Sequence, residues 1–409
     1  MTSIEPLTVS RGAALYIGAL LGPGLLLLPG LASAGSGPAS ILAWVALLAV
    51  SGLLAVVFAA LGVQRPSATG VRAYAEDGLG HRAGQAVSWC FLAGVVTGAP
   101  IVSYIGGTYL AGLVGADGPL APAVAAAGLL TLALVTTSRG VRTSTTVQLG
   151  LVVLLVVIVA VAVVGSAPAA DADNWTPFAP HGWTAIGSTA SVLVLSFVGW
   201  EAVAPLTARF ADPRSQLPRV IGIAFGATGL IYLALATATI SVLGPGASPS
   251  TPVTDLLTTA IGPAGAAVAA VGAAVLTLGG VNAYLTGAAA LARSLTRPSA
   301  RPRGGPPDWL LVVVVASACA LLGLGGAGVL APEDLVTVPS TLFLVVYLGC
   351  TAAAWRLLTG PVRAVAAVAF AGVLVIIGFS GCAVLLAALV AAGAAARPGP
   401  RGRQPALTP

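Results

Sequence analysis

Long apolar stretches alternate along this chain with short clusters of arginine. Seven clusters separate six apolar stretches that contain no basic residue. A membrane-spanning helix needs about 20 apolar residues, so each of the first five stretches is long enough for two helices. The sixth stretch, 364–396, has room for two short helices that turn at 378–381. The pattern therefore predicts twelve transmembrane α-helices, at about 12–34, 38–62, 84–114, 121–137, 143–165, 185–208, 219–243, 264–292, 309–330, 335–355, 364–379 and 381–396.

The composition supports a membrane protein and excludes a soluble one. Hydrophobic residues make up 57% of the 409 residues, charged residues make up 7%, and the mean hydropathy is +1.01. A soluble domain carries about 25% charged residues, so this chain has too few of them to cover a water-facing surface. The sequence therefore predicts an all-α integral membrane protein, embedded in a lipid bilayer.

The positions of the charges predict the orientation. All 18 basic residues are arginines, and if each apolar stretch is a hairpin, every arginine lies on the same face. The positive-inside rule makes this face cytoplasmic, with both termini inside. The inner face then carries a net charge of +13 and the outer face −6, so the formal charge of +6 reflects orientation and no nucleic-acid partner is predicted. Arginine-only basic usage and compact loops favour the plasma (inner) membrane of a bacterium.

Two of the predicted helices are interrupted within the membrane. Residues 18–30, GALLGPGLLLLPG, carry Gly-Pro-Gly in the middle of the first span. The segment 196–201, SFVGWE, lies at a similar depth in the sixth span. Units of five spans give a first repeat at about 12–165 and a second at about 185–355, and because five is odd the second enters from the opposite side. Interrupted helices at matching positions of inverted repeats indicate the binding site of a secondary transporter.

The residues after the second repeat are predicted to belong to the same domain or to a tail. A further hairpin at about 364–396 completes one transporter domain, 1–396, and 397–409 is predicted to be a cytoplasmic tail.

An interrupted helix presents backbone groups that a ligand can use. The break frees N–H and C=O groups, which persist in hydrocarbon only where protein, water or a ligand satisfies them. The positive end of one half-helix and the carbonyls of the other together suit a zwitterion. The alternative is a pair of packing kinks, because small residues also let membrane helices pack closely.

Glu201 is the one acidic residue that this topology places inside the membrane. A carboxylate there costs about 2.5–3.5 kcal/mol on insertion scales, so such residues tend to be functional. Burial favours the protonated form, which suits a proton carrier. The alternative is a structural role, in which Glu201 caps the free N–H groups of the broken helix. Thr97, Tyr104 and Asn282 are further intramembrane polar residues and are candidate cavity-lining residues.

No metal site or cofactor is predicted. The four cysteines, Cys90, Cys319, Cys350 and Cys382, have no metal-ligand spacing and fall within apolar spans. They are predicted to be small buried residues.

Three segments resemble the amino acid–polyamine–organocation superfamily. GALLGPGLLLLP resembles its G-x-G…P signature in span one, and RPSATGVRAYAEDGLGHRAGQAVSW is similar to its inner loop after span two. SFVGWEAVAPLTARFADPRSQLPRV closely resembles span six and the following loop. Within the superfamily, the likeness is greatest to the bacterial exporters of methionine and branched-chain amino acids. The resemblance covers spans one to eight well and the last four by general pattern.

This resemblance implies a LeuT-like fold, which is a five-plus-five inverted repeat with two peripheral helices, and alternating access around a central amino-acid site. The substrate carboxylate would meet backbone N–H groups around Gly22 and Gly24, and the ammonium would meet carbonyls. Glu201 holds the position associated with proton sensing in related antiporters. The implied substrate-binding residues are Leu20, Gly22, Pro23, Gly24, Leu195, Phe197, Val198, Gly199 and Trp200, with the ammonium at the carbonyls of Leu20, Leu195 and Val198.

The sequence departs from the superfamily pattern in two places. Pro23 stands where relatives commonly have Ser or Thr, which removes a hydroxyl and an N–H. The carboxylate contact then falls on Gly22 and Gly24 alone. Some importers use a lysine in span five in place of sodium, and this chain has no lysine.

The favoured interpretation is a proton-linked transporter of small neutral amino acids, with export preferred over import. An importer or exchanger of the same superfamily is the alternative, and a passive channel is less favoured. An enzyme is disfavoured, because the sequence has no HExxH, no GxSxG and no paired intramembrane acids. The exact substrate, the direction, proton against sodium coupling and the oligomeric state stay open.

Overall fold

The computed structural model describes residues 7–22, 24–65, 70–116, 118, 120–139, 145–203, 207, 210–295 and 306–396. Apart from one isolated backbone bridge between Leu7 and Phe210, this part of the chain contains no β-structure, so the predicted all-α class is confirmed. Its helices are α1 (Val9–Leu20), α2 (Gly24–Ser36), α3 (Ser40–Gln64), α4 (Val71–Leu79), α5 (His81–Leu113), α6 (Leu120–Ser138), α7 (Thr145–Ser166), α8 (Ala185–Leu193), α9 (Trp200–Val203), α10 (Pro213–Ala238), α11 (Pro252–Ile261), α12 (Ala264–Leu295), α13 (Asp308–Gly326), α14 (Pro332–Leu357), α15 (Pro361–Ile377) and α16 (Ala383–Ala395).

Eight helical segments of the described chain are long and apolar enough to cross a membrane. The first of them, Gly24–Gln64, has 41 residues, about twice what a bilayer needs. It comprises α2 and α3, which are separated at Gly37, where φ is +59° and favours glycine. Three shorter apolar segments add to the eight, and helix occurs within each of the twelve predicted stretches. The number of crossings and the inverted repeat stay predictions.

Both predicted interruptions are present, and they lie against each other. α1 ends at Leu20 and α2 begins at Gly24, while α8 ends at Leu193 and α9 begins at Trp200. A Cβ atom at Gly199 would lie 2.7 Å from the carbonyl oxygen of Ala19 in α1. Only glycine therefore allows the second interruption to come this close to the end of α1.

The other helices surround these two interrupted ones. α1 packs against α10 and α7, and α2 packs against α8. α5 is the most extensively packed helix, with α6, α12 and α14 as its main neighbours. α15 and α16 pack on the outside, against α3 and α14 and against α5 and α14 respectively.

The short amphipathic helix α4 lies between α3 and α5 in the chain and packs on α14. The contact is close, since a Cβ atom at Gly78 would lie 2.7 Å from Cα of Ala353. Glu76 on this helix contacts Nδ1 of His81 at 2.8 Å and Nε of Arg72 at 3.3 Å. Burial opposes ionisation of Glu76, but the His81 and Arg72 contacts outweigh it and hold the pKa of this carboxyl below its usual value.

The prediction that all four cysteines are buried is wrong for two of them. Cys90 and Cys350 are buried, whereas Cys319 and Cys382 are exposed. Cys319 shares an exposed face of α13 with Val315, one turn earlier. Apolar sequence alone does not separate the two environments, because a membrane helix is apolar both where it packs on protein and where it faces lipid.

We expect Gly199→Ala to destabilise the fold, because the added methyl group meets the Ala19 carbonyl. Overpacking of this kind costs about 1–3 kcal/mol. Gly222→Ala is the matched control, since Gly222 is exposed on α10 and its Cβ position has no neighbour within 4 Å. Thermal unfolding of both variants in detergent tests this. Equal unfolding temperatures for the two would show that the interrupted helices do not need this close contact.

Candidate functional site

The first interruption turns the chain within a few residues. α1 closes with a hydrogen bond from the Leu21 N–H to the Ile17 carbonyl at 2.7 Å. The Leu25 N–H then donates to the Gly22 carbonyl at 3.1 Å, at the start of α2. Pro23, one of the predicted substrate-binding residues, lies outside the described residues.

The space beside Gly22 is open. Among the described residues, one atom lies within 4 Å of the Cβ position of Gly22, the hydroxyl oxygen of Tyr284 at 3.8 Å. Gly24 differs, because its Cβ position faces Leu28 of its own helix at 3.2 Å. Of the two glycines, Gly22 therefore offers the approach to the backbone.

At the second interruption, tyrosine hydroxyls from two other helices lie within hydrogen-bond distance of freed carbonyls. α8 continues into a tight helical turn at Val194–Phe197, after which the backbone is extended. Tyr232 of α10 donates to the Ser196 carbonyl, and the Tyr347 hydroxyl of α14 lies 3.2 Å from the Phe197 carbonyl. These hydroxyls provide the partners that an interrupted helix needs in hydrocarbon.

Tyr232 joins the two interruptions directly. Besides its contact with Ser196, its hydroxyl lies 2.6 Å from the Leu20 carbonyl at the end of α1. Its ring also contacts Phe197 and Trp44, with centroid distances of 5.1 and 5.3 Å. The Leu20 carbonyl, predicted to bind the substrate ammonium, thus shares the single Tyr232 proton with the Ser196 carbonyl.

Glu201 is buried and hydrogen-bonded in the second interruption. Its Oε2 atom accepts from the Gly199 N–H at 3.0 Å and from the Tyr347 hydroxyl at 2.5 Å. The Gly199 contact satisfies a backbone donor freed by the break, which is the capping role. The Tyr347 contact ties the carboxylate to α14, and the same hydroxyl also lies near the Phe197 carbonyl.

Trp200 is held by contacts with α3 and α1. Its indole N–H donates to the Ser51 hydroxyl of α3 at 3.0 Å, and its ring stacks edge-on against Tyr16 of α1. Like Leu20, Leu195, Phe197, Val198 and Gly199, it is buried.

A small cavity is lined in part by residues of the first interruption. α1 contributes Leu21 and Gly22 to its wall, α12 contributes Gly279 and Gly280, and α7 contributes Gln148 among apolar residues. The cavity therefore adjoins the break.

The three candidate cavity-lining residues do not form part of the wall of this cavity. Thr97 donates to the Ala93 carbonyl of its own helix at 2.8 Å, and it is partly buried. Tyr104 is also partly buried, and Asn282 is buried.

The sequence did not identify Tyr232 and Tyr347 as site residues. Each is a lone tyrosine within an apolar span, and both are fully buried with a hydrogen-bonded hydroxyl. A tyrosine in such a span needs a partner for its hydroxyl, and this requirement was the available signal.

Comparison with known proteins identifies the family. The family model for amino acid permeases matches residues 7–395. An uncharacterised amino acid permease of Bacillus subtilis, YecA, is 29% identical over 94% of this chain and 93% of its own length. The L-methionine/branched-chain amino acid exporter YjeH of Escherichia coli is 30% identical over 56% of this chain and 54% of its own length. A methylthioribose transporter of B. subtilis is 27% identical over 54% and 51%. The chain therefore belongs to the amino acid permease family of the amino acid–polyamine–organocation superfamily.

Proposed function

We propose that this permease is a secondary active transporter of small neutral amino acids, and that it works by alternating access as a proton-linked exporter of the methionine and branched-chain type. Family membership supports an amino-acid substrate, and the name of the E. coli relative supports export. The observation that carries the proposal is the contact of the two interruptions through Gly199 and Tyr232. It brings helix ends with free N–H and C=O groups into one buried place.

The charge of the site supports a neutral amino acid. The start of α2 carries the positive end of a helix dipole and suits the substrate carboxylate. The carbonyls at Leu20, Leu195 and Val198 suit the ammonium. Glu201 is the one charged residue that the predicted topology places in the membrane, so a strongly charged substrate side chain would lack a partner.

Ammonium binding requires an exchange of hydrogen bonds. The Leu20 and Ser196 carbonyls are within hydrogen-bond distance of the single Tyr232 hydroxyl. An ammonium has three donors and can replace this hydroxyl at one carbonyl while the other remains bonded to Tyr232. The exchange costs little, because one hydrogen bond replaces another.

Protonation of Glu201 changes the hydrogen bonds of the second interruption. The charged carboxylate accepts from Gly199 and Tyr347. A protonated carboxyl has a proton to donate, and Tyr347 can accept it if its own proton turns to the Phe197 carbonyl 3.2 Å away. Proton binding then alters the hydrogen bonding of the Phe197 carbonyl, which lies in the chain between the Leu195 and Val198 carbonyls proposed for the ammonium. A charged Glu201 also attracts the ammonium and a neutral one does not, so proton and substrate compete, as antiport requires.

The proposed fold is the LeuT-like one, with twelve crossings, both termini cytoplasmic and the α15–α16 hairpin peripheral. The paired interruptions and the outer packing of α15 and α16 support it. An importer or exchanger would use the same site, so direction rests on the relatives. A passive channel is less favoured, because paired broken helices are typical of transporters that work by alternating access.

Counterflow in proteoliposomes tests the transport function. We expect saturable exchange of labelled methionine or branched-chain amino acids, and loss of exchange in Gly22→Val, because the side chain fills the space that faces Tyr284. Gly128→Val is the control, since Gly128 is exposed on α6 with no neighbour within 4 Å of its Cβ position. Undiminished counterflow in Gly22→Val would mean that the first interruption is a packing kink.

Glu201→Gln separates coupling from capping. The amide keeps the shape and fixes a neutral state, so we expect loss of transport driven by a pH gradient while substrate counterflow persists. Both activities are measured in the same reconstituted sample. If Glu201 is only a cap, gradient-driven transport survives in the folded variant, and that result would refute proton coupling through this residue.

Cysteine labelling tests the orientation. In a background with the four native cysteines replaced by alanine, we expect Ala172→Cys to react with an impermeant maleimide in intact cells and Ala300→Cys to react only after permeabilisation. The first position is exposed in the loop before α8, and the second lies in an arginine cluster. Reaction at position 300 but not 172 in intact cells would reverse the proposed topology.

A further inference from the structure

The start of α2 lacks one of the backbone donors that a helix end can present to a ligand. The first N–H groups of a helix lack partners within it and are the groups that bind an anion. Pro23 precedes Gly24, the first residue of α2, and proline has no N–H. A carboxylate at this end therefore needs a further donor from elsewhere in the protein.

Tyr284 of α12 is placed to provide this donor. Of the described residues, it is the one with an atom within 4 Å of the Cβ position of Gly22, its hydroxyl oxygen at 3.8 Å. No hydrogen bond joins this hydroxyl to another described residue, whereas the hydroxyls of Tyr232 and Tyr347 are both bonded to the second interruption. A phenolic hydroxyl in an apolar span is expected to find a partner, and here the open space beside Gly22 is where a partner can bind.

We propose that the Tyr284 hydroxyl donates a hydrogen bond to the substrate carboxylate, in place of the donor that Pro23 lacks. The inference rests on the proposed function and names a specificity-determining residue for it. The ligands it selects are amino acids with a free α-carboxylate. Amides and esters of the same amino acids lack the charged acceptor and gain little from this hydroxyl.

A hydroxyl can also accept, so Tyr284 could in principle contact the ammonium instead. The arrangement favours the donor role, because Tyr284 faces Gly22 at the positive end of α2, and the available carbonyls lie at the ends of α1 and α8. A charged Glu201 lies in the second interruption and attracts the ammonium to that side, which leaves the carboxylate on the Tyr284 side.

The test compares Tyr284→Phe with Thr286→Val in full-length protein. For each variant, an unlabelled amino acid and the carboxamide of the same amino acid are used as competitors that inhibit counterflow of the labelled amino acid. Thr286 is on the same helix, about 200° around the axis from Tyr284, so the control removes a hydroxyl from a different face. A hydrogen bond to a charged group predicts a rise in the apparent Kd of the amino acid on the order of 10- to 100-fold in Tyr284→Phe, with little change for the carboxamide or in Thr286→Val. Equal weakening of both ligands would assign Tyr284 to the ammonium, against the proposal.

A rescue variant tests the same contact without the carboxamide. Pro23→Ser returns an N–H and a hydroxyl to the start of α2, so it should recover most of the affinity lost in Tyr284→Phe and tighten binding in the otherwise unchanged protein. The proposal is overturned if Pro23→Ser changes affinity neither in the Tyr284→Phe protein nor in the otherwise unchanged protein. If Tyr284→Phe does not fold, the result in the otherwise unchanged protein decides. If the unchanged protein exchanges no amino acid, the proposed function fails instead.

Discussion

Free backbone groups in a bilayer need partners, and the centre of this permease is organised by that requirement. Two helices stop inside the apolar region, where an unsatisfied N–H or C=O costs several kcal/mol. The hydroxyls of Tyr232 and Tyr347 lie within hydrogen-bond distance of three freed carbonyls, and Glu201 accepts from the N–H of Gly199. The two tyrosines belong to α10 and α14, and their hydrogen bonds hold these helices against the interruptions. The packing of α10 and α14 at the centre is therefore a consequence of the breaks.

Hydroxyls are suited to a site that must also bind and release a ligand. A neutral hydrogen bond contributes only about 1 kcal/mol net, so an ammonium can displace one without a large change in free energy. An arginine in the same place would satisfy the carbonyls and hold them permanently, because its charge is costly to leave unpaired in the membrane. The arginines of this chain lie instead in clusters between the apolar stretches, where they set the proposed orientation.

The sequence predicts the interruptions and Glu201 because each is a local departure from an apolar helix. Gly22, Pro23 and Gly24 break the pattern themselves, and Glu201 is a carboxylate where none is expected. The partners are less accessible to prediction. Tyr232 meets Leu20 across 212 residues of chain, and Tyr347 meets Glu201 across 146, so no periodicity connects them. The same limit explains Cys319, whose exposure depends on which face of α13 has neighbours.

Capping and coupling by Glu201, which the sequence leaves as alternatives, depend on the same hydrogen bonds. A group that only capped Gly199 could be replaced by any buried acceptor, and the Tyr347 contact would be superfluous. Tyr347 lies between the carboxylate and the Phe197 carbonyl. Protonation of Glu201 can therefore change the hydrogen bonding of the Phe197 carbonyl through one hydroxyl. Under the proposed function, the cap is therefore the means by which protonation of Glu201 changes the backbone beside the proposed substrate carbonyls of Leu195 and Val198, and a cap without a titratable group would not couple the two.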